Sequence, residues 1–76
     1  MRKYKDLSGD SGVAAFQIAT DSIIIRFKTG GTYRYDAVKP GKRHVEKMKK
    51  LALSGDGLAT YINQEVRDNY AAKIDD

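Results

Sequence analysis

Between two turn signals, Thr20-Asp21 and Gly30-Gly31, the chain carries a segment, Ser22 to Lys28, that can bury its apolar side chains only as a strand. With a side-chain period of two, Ile23, Ile25 and Phe27 fall on one face and Ile24, Arg26 and Lys28 on the other. The turn signals at both ends commit its neighbours as well. A two-residue loop at Thr20-Asp21 turns the preceding segment, Val13 to Ile18, into an antiparallel partner, pairing Ile18 with Ile23 and Phe16 with Ile25. The glycine pair then starts a second hairpin, so the first half of the chain reads as a three-stranded meander.

The length of that second loop decides which face Tyr33 and Tyr35 occupy. A two-residue Gly30-Gly31 turn would set both tyrosines beside Arg26 and Lys28. A three-residue loop, Thr29-Gly30-Gly31, would pair Phe27 with Tyr33 and Ile25 with Tyr35 and add both rings to the apolar face. The second register is preferred, because a core this small needs the aromatic area and the first register would bring Arg34 inside. It sets Arg26 opposite Arg34 on the outer face.

Lys39-Pro40-Gly41 ends the sheet, and a helix follows from about Lys42 to Leu53. At 100° per residue Val45, Met48 and Ala52 form one stripe, while Arg43, Lys47 and Lys50 gather on the other side. Gly55 stops this helix, and Asp56 is the candidate N-cap of a second one, Leu58 to Lys73. Leu58, Ile62, Val66, Tyr70 and Ile74 recur every four residues, a repeat that drifts around a 3.6-residue helix. The expected fold is therefore α+β, a three-stranded antiparallel meander followed by two helices packed on one face of the sheet. Residues 11–74 form the single domain, residues 1–10 a flexible N-terminal arm, and Asp75-Asp76 a frayed C-terminus, with Ile74 already fraying.

The chain has 76 residues and no cysteine, so there is room for one core, and neither a disulfide nor a thiolate metal site can reinforce it. The longest apolar run, Ile23-Ile24-Ile25, is too short to span a bilayer, and the charged start has no apolar stretch after it. A cytoplasmic protein without membrane contact is expected. The net charge of +4 is uneven: residues 1–50 hold twelve Lys/Arg against five Asp/Glu, and the remainder two against five. A positive field over the sheet and first helix favours an anionic partner, nucleic acid above all.

The segment Phe27-Lys28-Thr29-Gly30-Gly31-Thr32-Tyr33-Arg34-Tyr35 resembles the KTSC domain, named from the C-terminus of some lysyl-tRNA synthetases and found also as a stand-alone bacterial protein. The similarity covers residues 11 to 66. Ser11-Gly12-Val13 resembles the family's opening, Tyr33-Arg34-Tyr35 its central Tyr-x-Tyr, and Tyr61-Ile62-Asn63 a Tyr-Phe-Asn near its end. The chain departs from the family at Ser54 to Gly57, which lengthens the linker before Tyr61. No activity is established for the family, and the resemblance implies RNA binding only through the synthetases it accompanies.

Chemical motifs are sparse. His44 is the only histidine and sits at the edge of the first helix, where it reads as a surface residue rather than a metal ligand or a base. The Ser-Gly steps lack a nucleophile-elbow context, the glycines form no phosphate loop, and the only adjacent carboxylates are Asp75-Asp76. No enzyme activity, cofactor or metal is expected. Tyr33 and Tyr35 read as core residues with wet hydroxyl tips, the alternative being a base-stacking platform. The candidate nucleic-acid residues are Arg26, Lys28 and Arg34 on the sheet and Arg43, Lys47 and Lys50 on the helix. Like charges opposite or above one another would be relieved by phosphate, or else by Asp36 and solvent. The chain thus reads as a non-enzymatic binding module for RNA or, alternatively, for another protein, and no pattern along it encodes an oligomeric state.

Overall fold

The computed structural model describes residues 1–75. Five strands form one antiparallel sheet in chain order: β1 (Arg2–Lys3), β2 (Val13–Ala19), β3 (Ser22–Phe27), β4 (Thr32–Asp36) and β5 (Ala72–Asp75). Helix α1 (Lys42–Ser54) and the short helix α2 (Leu58–Tyr61), which widens into a π-type turn over Ile62–Val66, lie between β4 and β5 in sequence. The class is α+β, but the sheet has five strands rather than three.

The β2–β3 hairpin has the expected two-residue turn, with Ile18 opposite Ile23 and Phe16 opposite Ile25. One irregularity interrupts it: Val13 faces Phe27 while Ala15 faces Arg26, which leaves Ala14 as an extra residue. Val13 and Phe16 have opposite parity, so without this bulge only one of them could point inward; with it both are buried.

The second hairpin corrects the register. It closes at Phe27 and Gly31, whose N–H and carbonyl are bonded at 3.0 Å, and Ile25 faces Tyr33 while Ile23 faces Tyr35. The loop is one residue earlier than Thr29-Gly30-Gly31, and the pairing slides by two. A shift of two preserves the faces, so both tyrosines still lie on the apolar side. Arg26 now faces Thr32 and Arg34 faces Ile24, so the direct Arg26–Arg34 opposition does not form. Gly31 holds the turn at φ 90°, and a Cβ there would lie 2.8 Å from the Tyr33 ring.

The inner face of the sheet meets α1 and the following turn in one core. Val13, Phe16, Ile23, Ile25 and Tyr35 pack with Val45, Met48, Ala52, Leu58, Ile62 and Val66. Each fully buried aliphatic side chain contributes about 1.5–3 kcal/mol by leaving water. Gly55 ends α1 in the left-handed region, as expected. The N-cap of α2 is Gly57 with no side-chain cap, so Asp56 does not serve that role.

The second helix is far shorter than the four-residue repeat suggests. A repeat of four drifts about 40° per step on a 3.6-residue helix, and the π-type turn absorbs the drift, keeping Leu58, Ile62 and Val66 all buried. Arg67, at φ 55°, then breaks the helix, and its N–H closes the last wide turn on the Ile62 carbonyl. Beyond it the chain doubles back as β5 against β4, pairing Lys73 with Tyr33 and Ala72 with Arg34. Tyr70 and Ile74 are therefore not helical positions. The open edge of β4 offered backbone partners that a continued, drifting helix could not use. Of the end expected to fray, Ile74 and Asp75 belong to β5, and Asp76 lies outside the described residues.

Residues 1–10 are not a loose arm. β1 pairs with β2, and Tyr4 is 2% exposed with its hydroxyl accepting the Leu58 N–H at 3.3 Å. The Leu7 N–H donates to the Gly55 carbonyl at 2.8 Å, and Asp6 pairs with Lys28 at 2.7 Å. Turn-rich composition over Ser8 to Gly12 concealed a single large anchor, Tyr4, which supplies a partner for an N–H that the start of a helix leaves open.

Candidate nucleic-acid interface

The pleat separates the six expected cations into two groups. Ile23, Ile25 and Tyr35 face the helices, so Arg26 and Arg34 must face away from them on the uncovered side of the sheet. There Arg34 donates to Asp36 at 2.7 Å, and Lys28 in the hairpin loop is tied to Asp6. Arg26 is exposed. The sheet cations are thus largely matched by carboxylates, and they lie across the domain from the helix group.

Arg43, Lys47 and Lys50 come together. They line a groove of about 620 Å³ between α1 and the α2 segment, joined by His44, Tyr61 and the carboxylates Glu46 and Glu65. The groove follows from two local facts: α1 buries Val45, Met48 and Ala52, which turns the 43/47/50 stripe outward, and α2 turns Tyr61 toward that stripe while Ile62 enters the core. Among the described residues none of Arg43, Lys47 or Lys50 has a carboxylate at ion-pair distance. Glu46 pairs at 3.2 Å with Lys49, whose ammonium also donates to the Thr20 carbonyl and ties α1 to the first turn.

His44 is half-buried rather than a plain surface residue: its Nδ1 and the Tyr61 hydroxyl are hydrogen-bonded at 2.7 Å, with ring centroids 5.9 Å apart. Burial raises the Tyr61 hydroxyl above its ordinary pKa, the Glu65 carboxylate adds to the rise and Arg43 opposes it. The phenol therefore stays neutral and keeps its proton available for hydrogen bonding. The His44–Tyr61 pair was not visible as a site in the sequence, because seventeen residues separate its members. The single available signal was that both flank apolar positions that had to face one core.

Tyr33 and Tyr35 occupy a different place. Tyr35 is buried, and burial followed by the neighbouring Tyr33 and Tyr70 hydroxyls pushes its pKa up to about 12. Tyr33 is half-buried, edge-on to Phe27 at 5.7 Å and tilted against Tyr70 at 4.7 Å, with the Lys73 ammonium 5.8 Å from its ring centre. These rings wall a second pocket of about 280 Å³ whose rim carries Asn63, Arg67 and Asp68. It is separate from the basic groove.

Among the described residues no group of three or more His, Asp or Glu is placed to hold a metal ion, and no helix is long and apolar enough to cross a membrane. No family model, curated protein or solved structure matches the chain.

Proposed function

We propose that this chain is a KTSC-type, non-enzymatic cytoplasmic module that binds single-stranded RNA through the α1 groove. One observation carries the reading: Arg43, Lys47 and Lys50 line a single groove beside the His44 and Tyr61 rings, and among the described residues none of the three has a carboxylate at ion-pair distance. Three unneutralised cations at i, i+4 and i+7 repel one another, and a phosphodiester backbone running along the helix relieves that repulsion while releasing its own counterions. The adjacent rings offer surfaces against which an unpaired base can lie. Arg26, Lys28 and Arg34 are left out of this contact surface, since two of them are already paired and the set faces the other way.

Titration with an oligouridylate at rising salt tests the proposal. Three phosphate contacts correspond to a log–log salt slope of about 2, from roughly 0.7 per contact on single strands. Changing Arg43, Lys47 and Lys50 together to Glu should abolish association at low salt while leaving the melting temperature unchanged or higher, and Arg26→Glu should change little. Absence of binding to the parent protein at low salt, or equal binding by the triple variant, would replace this reading with a protein-interaction module.

A further inference from the structure

The second pocket holds an unusual combination of groups. Tyr35 is 2% exposed, and among the described residues its hydroxyl has no hydrogen-bond partner. Yet no buried side-chain oxygen or nitrogen is left unsatisfied there, so that hydroxyl must reach the space of the pocket it lines. On the rim, Arg67 and Asp68 are exposed neighbours that pair neither with each other nor with any other described residue. Arg67 and Asp68 bring opposite charges to the mouth, and the Lys73 ammonium lies 5.8 Å from the centre of the Tyr33 ring that walls the pocket. What remains is an aromatic slot with a hydroxyl at its floor and an amide, a guanidinium and a carboxylate at its mouth. That equipment matches a neutral, planar, hydrogen-bonding ring. A space of about 280 Å³ admits one such ring and is too small for a folded partner.

The carboxylate narrows the choice. Guanine is the one common base that presents two adjacent N–H donors on its pairing edge, which a single carboxylate accepts together, and beside them an acceptor oxygen, O6. We propose that this pocket is a guanine-binding site: the base lies against the Tyr33 and Tyr70 rings, its pairing-edge donors go to Asp68, and O6 accepts from the Tyr35 hydroxyl and the Asn63 amide. The site lies on the other side of the α2 segment from the groove, Asn63 lining it while Tyr61 and Glu65 line the groove, and it stands whether or not the groove takes RNA.

Uncharged nucleosides keep the two sites apart, because guanosine carries no phosphate for the groove. Titration of guanosine, adenosine, cytidine and uridine, followed by NMR, should move the signals of Tyr33, Asn63, Asp68 and Tyr70 with guanosine, the other three binding at least about tenfold more weakly. Asp68→Asn, an exposed change, should weaken guanosine about tenfold, and Tyr35→Phe, which keeps the buried ring, several-fold. The Arg43/Lys47/Lys50 triple Glu variant should bind guanosine as the parent does. No localised shift at millimolar guanosine, equal response to all four nucleosides, or full binding by Asp68→Asn would overturn the assignment.

Discussion

Replacing Tyr4 by alanine asks whether the first residues belong to the folded unit. Its ring is 2% exposed and packs in the core, and its hydroxyl accepts the N–H of Leu58, the first residue of α2. Deleting a buried aromatic ring costs about 3–5 kcal/mol through lost burial and the cavity left behind. A domain of this size has roughly 4–11 kcal/mol in total, at about 0.05–0.15 kcal/mol per residue. At about 4–8 °C per kcal/mol for a chain this short, the melting temperature should fall by about 12–40 °C. Tyr4→Phe separates the ring from the hydroxyl: it keeps the ring and leaves the Leu58 N–H without its acceptor, at a cost of about 1 kcal/mol and hence about 4–8 °C. Thermal melts followed by far-UV circular dichroism read both variants. A Tyr4→Ala protein that melts within about 3 °C of the parent, inside the shift of a 1 kcal/mol change, would refute the reasoning and return residues 1–10 to the status of an arm.

Two further outcomes follow from titrating groups. Tyr35 is raised to about 12 by burial, so above the ordinary tyrosine pKa the unfolded chain loses this proton while the folded one keeps it. Stability should therefore fall as pH rises from about 10 to about 12, and of the five tyrosines Tyr35 should ionise late in an absorbance titration; ionisation together with freely exposed tyrosine would contradict its burial. Asp36 is held below the ordinary carboxylate range, first by the Lys39 N–H, then by the Val38 N–H and the Arg34 guanidinium. Its contribution is present above the unfolded pKa and is lost as pH drops through the lower folded value, so Asp36→Asn should flatten the acid side of the stability curve. An unchanged acid limb in denaturant titrations would dismiss the role of that carboxylate.

The parts of the fold that were legible in the sequence are those set by local rules. Period-two alternation and Thr20-Asp21 defined the first hairpin down to the Phe16–Ile25 and Ile18–Ile23 pairs. The 100° stripe and Gly55 placed α1 within one residue of its observed end. The tyrosine face was legible as well, since it depends only on whether the register sum is odd or even. Its partners were not, because the closing bond between Phe27 and Gly31 depends on two successive glycines both adopting positive φ. The Ala14 bulge and β5 were hidden for a related reason: each depends on a neighbour, β3 in one case and the open edge of β4 in the other. Tyr70 and Ile74 fit a four-residue helical repeat and a two-residue strand repeat equally well, and the local pattern had no means of choosing. Of the candidate site, the α1 stripe could be read from periodicity. Its isolation from Arg26 and Arg34 needed the tertiary fact that the helices cover the tyrosine face. The pocket of Tyr33, Tyr35 and Tyr70 needed β5.

The two outermost strands are short and carry charge, Arg2 and Lys3 in β1 and Lys73 in β5. Immediately inside β1 lies β2, whose seven residues, Val-Ala-Ala-Phe-Gln-Ile-Ala, include no charge and no proline. In the intact chain both backbone edges of β2 are occupied over the length that β1 reaches, and basic side chains guard the approach. Proteolytic trimming of the first five residues would expose an uncharged, β-prone template that neighbouring copies can extend. Such a trimmed chain should scatter light in proportion to its concentration at temperatures where the intact chain stays clear. The first few residues thus govern colloidal behaviour as well as folding, and a protease that nicks near Lys5 would turn the domain into a seed for assembly.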